Sequence, residues 1–257
     1  ERAVVPLTGP GGAVIKAMNP AHILYECYTN ADWGRGLERS RLDDAKWRAA
    51  ADQLHTEGFG LCMAWLRQDS LASFMQGVLD HIGAAQFSDP SSGLVVLRLI
   101  RDDFVVDELP LFDADSGLLS IDDDDSAAQA GSVNEVVVRY RSPVDGKPRQ
   151  VRVKNPAAIH ALGSVSSTTK DYLGLPTAEL ALRVAQRDLR ASAGFVKKFK
   201  LQLDRRGFEV LPGSVFRIRD VKRGIGTMVL RAGRVEHGPL DDGAITVTAA
   251  QDRKSVV

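Results

Sequence analysis

Hydrophobic positions fall at helical spacing early in the chain and at strand spacing later. Asn19-Pro20 opens a predicted helix, with Asn19 as cap and Pro20 at the first helical position, and Ile23, Leu24, Cys27 and Tyr28 form its apolar stripe. Residues 30–41, with Trp33-Gly34 and Gly36, read as a loop. A second helix follows a cap at Asp43, carries Trp47, Ala50 and Leu54 on one face, and stops at Gly58. Residues 59–66 are strand-like. A third helix is predicted from about Ser70 to Ile82, capped by Asp69, with Leu71, Phe74, Val78, Leu79 and Ile82 on its buried face. Two strand runs, 84–88 and 93–100, flank the turn chemistry of Asp89-Pro90-Ser91-Ser92-Gly93.

Beyond residue 131 the period changes to two. Alternating runs at 134–140 and 149–153 flank a turn at Val144-Asp145-Gly146-Lys147. A short helix over 156–162 and a polar strand over 164–172 follow, and Pro176-Thr177 opens an amphipathic helix over 178–191. Four more strands are predicted at 196–204, 214–219, 227–236 and 244–249, with turns at Leu211-Pro212-Gly213 and Asp241-Asp242-Gly243. The pattern predicts an α+β chain: an entering strand and linker (1–18), belonging to a domain outside the slice or completed by it, a small α+β domain (19–101), an acidic connector (102–131), an antiparallel β-barrel or sandwich with one flanking helix (132–250), and a tail (251–257).

Composition adds one feature. The 257 residues hold 33 Lys+Arg and 33 Asp+Glu, yet residues 1–130 sum to −11 and residues 131–257 to +11. Opposite halves of this kind predict either attraction between copies or two separately solvated surfaces. Two cysteines, Cys27 and Cys62, lie in apolar runs and read as buried thiols made in a reducing compartment, not a disulfide framework. No apolar run reaches the roughly 20 residues of a membrane helix. The abrupt start at Glu1 reads as a slice of a longer protein.

Candidate chemistry is sparse. Gly9-Pro10-Gly11-Gly12 lacks the Lys-Ser/Thr of a phosphate loop, and Pro10 removes an amide donor. His22, His55, His81, His160 and His237 show no metal-ligand spacing, so neither a metal nor a cofactor is expected. His55 with Cys62 is a conceivable nucleophile pair, but Cys62 sits in an apolar run. Asp122-Asp123-Asp124-Asp125 lacks the alternation and glycine of a calcium loop and reads as a solvated acidic loop. Lys197, Lys198, Arg205, Arg206, Lys222 and Arg223 make the second half basic, but Phe195 and Phe199 share a predicted buried strand face, which disfavours base stacking. For a glycan hydrolase, Glu26 and Glu57 are the only carboxylates worth testing.

The ordered set of segments resembles the tail tip attachment family of long-tailed phages, prophages and gene transfer agents, which includes host-specificity tip proteins and baseplate hubs. The motifs are Asn19-Pro20-Ala21-His22-Ile23-Leu24-Tyr25-Glu26, Thr29-Asn30, Trp33-Gly34, Glu57-Gly58-Phe59-Gly60, the stretch 66–83, and Leu97 through Asp103. Val133 through Tyr140, Arg187-Asp188-Leu189, Leu211 through Phe216, and Arg231 through Val235 continue it, over about residues 15–250. The acidic run at 122–125 departs from it. The resemblance implies a non-catalytic homotrimer at the virion tail tip, assembled in the host cytoplasm, whose barrel domains form a pseudo-sixfold ring joining a sixfold tube to a threefold tip. It implies contacts with a distal tail or tube protein and a tip fibre or spike, genome DNA in transit, and no small-molecule substrate. Asp122, Asp123, Asp124 and Asp125 are expected to face the lumen, where negative charge keeps DNA from sticking. A receptor- or carbohydrate-binding module is the first alternative and a cell-wall hydrolase the second.

Overall fold

The computed structural model describes residues 2–65, 69–124, 133–192, 197–238 and 243–252. The chain forms two units and passes through each twice: residues 1–99 and 132–194 build unit 1, and residues 100–131 and 195–257 build unit 2.

Unit 1 begins with the hairpin β1 (Val4–Thr8) and β2 (Val14–Met18). Residues 2–18 are thus part of a folded unit, and Met18 bridges Leu61. Helices α1 (Pro20–Thr29), α2 (Asp44–Thr56) and α3 (Leu71–Ile82) follow, then the hairpin β3 (Ala84–Ser88) and β4 (Val95–Leu99). The Asn19 and Asp43 side chains cap α1 and α2 as expected, accepting from the amides of Ala21 and Lys46. Ser70, not Asp69, caps α3 by accepting from Ser73 N–H. The predicted strand at 59–66 is reduced to the single bridge at Leu61; Gly60 lies there so close to β2 that a Cβ would sit 2.5 Å from the Ala17 Cβ.

The chain then contributes β5 (Leu111–Phe112) and β6 (Leu118–Asp124) to unit 2. It returns to unit 1 as β7 (Glu135–Arg141), β8 (Pro148–Lys154), α4 (Pro156–Leu162), β9 (Ser167–Asp171) and α5 (Ala178–Ser192). β7 is the centre of a three-stranded sheet, antiparallel to β8 and parallel to β9. The apolar face of α5 (Leu180, Ala181, Val184, Ala185, Leu189) packs on β7 and β8. Val136 and Val138 of β7 belong to one core with Leu24, Leu54, Met75, Ile82 and Leu180. That shared core is why residues 132–194 fold with the helices and not with the later strands.

Unit 2 is completed by β10 (Lys198–Leu203), β11 (Val215–Asp220), β12 (Ile225–His237) and β13 (Ile245–Gln251). The sheet order is β5-β11-β12-β13-β10-β6, antiparallel except for the short β5–β11 pairing. Register irregularities in β12 near Gly233 and at the end of β10 accompany its curl into a half-barrel. Ile121, Phe199, Leu201, Leu203, Phe216, Ile218, Leu230 and Val247 line its inner face as a separate core.

The chain is α+β, as the pattern predicts, but its division differs from the expected one. The predicted flanking helix α5 covers the three-stranded sheet of unit 1, and the acidic connector supplies two strands of the half-barrel. Pairing decides this: β6 is in register with β10, placing Asp122 opposite Lys200 and Asp124 opposite Lys198. The acidic and basic halves therefore meet inside one sheet. Counted by unit, the net charges are only +3 and −3. Asp125, Phe195 and the turn residues Asp241 and Asp242 lie outside the described residues.

Candidate functional site

Unit 1 contains a groove of about 500 Å³, walled by Ala3, Met18 and Ile23, floored by Trp33, Trp65 and Phe74, and edged by His22 and Glu26. Successive α1 turns present His22, Ile23 and Glu26 together. Trp33 is held by the end of that helix: the Asn30 carboxamide oxygen accepts from the amides of Asp32 and Trp33, and Arg35 N–H donates to Cys27 O at 2.9 Å. Gly34 is required there, because a Cβ would lie 2.7 Å from the carbonyl oxygens of Cys27 and Asn30. Trp65 donates its indole N–H to Asp69 O at 3.0 Å. The ring centroids of Trp33 and Trp65 are 5.9 Å apart, and those of Trp65 and Phe74 are 6.1 Å apart, so the three make one continuous aromatic surface. Burial holds the half-buried His22 ring below its ordinary pKa of 6.5, which leaves it neutral at pH 7.

A second polar cluster lies in unit 1 where α3, β9 and α5 meet. Asp188 is 5% exposed and accepts from Tyr172 Oη at 2.7 Å, Lys170 Nζ at 2.9 Å and Arg187 Nε at 3.0 Å. Burial alone would raise its pKa; the Tyr172 hydrogen bond and the Arg187 and Lys170 charges outweigh that and hold it below the usual range. Arg187 also donates to the carbonyls of Asp80 and His81 at the end of α3. His81 donates from Nδ1 to Gly77 O at 2.6 Å and accepts from Gly174 N–H at Nε2, 3.2 Å away. Desolvation is the main reason its pKa is lowered. Both ring nitrogens are engaged by backbone, so this histidine has no free position for proton transfer. The cluster is a structural tie.

The other candidates disperse. Cys62 is a half-buried thiol whose pKa is raised by desolvation, the opposite of an activated nucleophile, and no hydrogen bond joins it to His55 among the described residues. Burial pushes Cys27 up to about 11. Glu26 lines the groove, whereas Glu57 ends α2 and accepts from Gln53 Nε2 outside it, so the two carboxylates share no cleft. Phe199 is buried inside the half-barrel, while Lys198 and Lys200 alternate to the opposite face. Asp122 is exposed on that polar face, in strand β6 instead of a loop. Among the described residues no group of His, Cys, Asp and Glu could hold a metal ion, and no helix is long and apolar enough to cross a membrane.

A chain in the virion of a native gene transfer agent particle superposes with a TM-score of 0.50 at 20% identity, over 73% of this chain and 40% of that one. The tail protein from Neisseria meningitidis MC58 gives a TM-score of 0.50 at 14% identity, over 76% of this chain and 59% of that one. The fold is one found in tail proteins. This chain thus spans only 40% and 59% of the lengths of those two chains. No protein-family profile matches the sequence, and no curated protein matches it significantly.

Proposed function

We propose that the chain is a non-catalytic structural component of a phage, prophage or gene transfer agent tail. In this reading it is a trimeric hub at the virion tail tip that adapts a sixfold tube to a threefold end. It contacts a distal tail or tube protein and a tip fibre or spike, and genome DNA passes through its lumen. The observation that carries the reading is the fold shared with a gene transfer agent virion chain and a tail protein, half-barrel and interleaved helical unit together. Three copies each supplying a curled sheet make a closed ring without adding new strands to it. The polar outer face of the half-barrel, which carries Asp122, is assigned to the lumen. Its charge there is tempered by Lys200 on the neighbouring strand, so the wall is mixed in sign, with no purely repulsive acidic band.

The hydrolase alternative loses its carboxylate pair, because Glu26 and Glu57 open onto different surroundings. Mass photometry with negative-stain microscopy tests the hub reading. The expected result is a particle of about three times the 27.9 kDa chain mass, seen as a threefold ring. A monomer at every concentration together with wall-degrading activity would overturn it.

A further inference from the structure

Two long strands stand at the ends of their sheets. β6 is one edge of the six-stranded sheet, β8 is one edge of the three-stranded sheet, and each is seven residues long. The opposite edge of the six-stranded sheet is β5, only two residues long, which leaves little there for another strand to pair with. Among the described residues no backbone hydrogen bond reaches the outer side of β6 or β8.

The ladders fix which backbone groups point outward. Gln251 N–H donates to Lys197 O in line with the β10–β13 register, so the alternate residues Lys198, Lys200 and Gln202 bond β6. Their partners Ser120, Asp122 and Asp124 turn toward β10, which leaves the amides and carbonyls of Ile121 and Asp123 on the open side. Asn155 N–H donates to Asn134 O in line with the β7–β8 register, so Val151 and Val153 bond β7 while Gln150, Arg152 and Lys154 present their backbone outward. The side chain of Ile121 faces the half-barrel core, and those of Val151 and Val153 pack on the core of unit 1. Arg152 and Lys154 share the single carboxylate of Glu135, so that face of β8 keeps a surplus positive charge.

We propose that β6 of one copy pairs in parallel with β8 of a second copy, with Ile121 opposite Val151, Asp122 opposite Arg152 and Asp124 opposite Lys154. In a parallel pair, a residue whose amide and carbonyl point across the gap lies opposite one whose groups point away. Ile121 and Val151 meet that condition, and the apolar faces of the two strands then run on as one. An antiparallel pair would instead set Ile121 against Gln150, Arg152 or Lys154. Charge selects the partner: β8 carries Arg149, Arg152 and Lys154 and no acid, whereas no other described edge strand carries more than one cation. A second β6 would set aspartate against aspartate. The contact joins unit 2 of one copy to unit 1 of the next, so it is head-to-tail and closes into a ring. Closure at three rests on the hub reading; the strand pairing does not.

Disulfide trapping in the whole chain tests it. An Asp122→Cys chain is mixed with an Arg152→Cys chain and oxidised, so that a bond between the new thiols can form only between copies. A covalent dimer is expected at a yield at least about tenfold above that of either variant alone or of the unsubstituted chain. Arg152→Asp is expected to weaken self-association at least about tenfold, and adding Asp122→Lys to that chain is expected to restore it, with circular dichroism confirming that each variant is folded. The pairing is overturned if the mixture gives no excess of covalent dimer at any concentration, if Arg152→Asp leaves association unchanged, or if the double reversal fails to restore it. Trimers that form without the disulfide overturn the pairing and leave the hub reading standing. Disulfide-linked dimers or open chains that never close at three support the pairing and contradict the hub.

Discussion

Unit 1 buries polar side chains in its joints, whereas unit 2 keeps its polar groups on the surface of a sheet. All eight buried polar residues among the described residues belong to unit 1: Asn19, His81, Asp89, Asn134, Glu135, Ser142, Thr177 and Asp188. Asn19 caps α1 and donates from Nδ2 to the carbonyls of Arg2 and Ala51. Asn134 ties the start of β7 to the carbonyl of Ser164 and the amide of Ser166. Arg187, held by Asp188, and His81 join the end of α3 to the second pass of the chain. Unit 2 needs none of this, because the ladder of its single sheet satisfies the backbone and the inner face is wholly apolar. A unit assembled from two distant segments has many helix ends and loops to satisfy. A curled sheet specifies itself through register.

The largest expected effect lies in the apolar core of unit 2. Leu201→Ala in the centre of β10 removes a fully buried side chain and is expected to cost unit 2 about 4 kcal/mol. Hydrogen exchange followed residue by residue checks it: protection falls across β10–β13 while α1–α3 keep theirs. Equal loss in both units would mean that they unfold as one cooperative body.

The polar counterpart is smaller. Asp188→Ala removes the acceptor of the Tyr172 hydroxyl, Lys170 Nζ and Arg187 Nε and is expected to cost unit 1 about 3 kcal/mol, read by denaturant unfolding of a unit 1 probe. Lys170 and Arg187 reach solvent in part, which limits the cost. A Leu201-sized loss in unit 2 from this substitution would contradict the assignment of the network to unit 1.

The smallest effect is a pH dependence confined to unit 1. The folded state holds His81 below its ordinary pKa of 6.5, so the unfolded chain takes up the proton first. Stability is flat above about pH 6.5 and falls as pH drops below it, by at most about 1.4 kcal/mol per pH unit for this one proton, until the folded value is passed. His22 shifts in the same direction, so the His81 share is the part of the slope lost in His81→Gln. Asp188 and Asp89, both lowered, act in a separate window below about pH 4. An unchanged slope in His81→Gln would remove His81 from the account.

Local structure was legible wherever it is set by neighbouring residues. The Asn19-Pro20 cap, the stop at Gly58, the turn at Asp145-Gly146, helix α4 and the hairpin of β3 and β4 all follow from short motifs. What was not legible is which strands pair. Residues 118–124 read as acidic connector because Asp122–Asp124 carry no strand preference; their pairing with β10 is dictated by Ile121 and Leu118 closing the half-barrel core. Likewise the Val-rich β7 pattern is compatible with either unit until Val136 and Val138 join the core of unit 1 under α5. The groove was missed because its rings come from a loop, a connecting segment and a helix. The usable signal was Trp33, a large aromatic in a loop outside every periodic stripe.

The proposed tail role requires the chain to be built into the virion at one place. Its most direct measurement is the position of this chain in assembled, tail-bearing particles, read by electron microscopy with a compact label fused to the full-length protein. Density for three labels in a ring at the tip end of the tail tube is expected. Label found only on the head, or absent from particles that are complete and infectious, would contradict it.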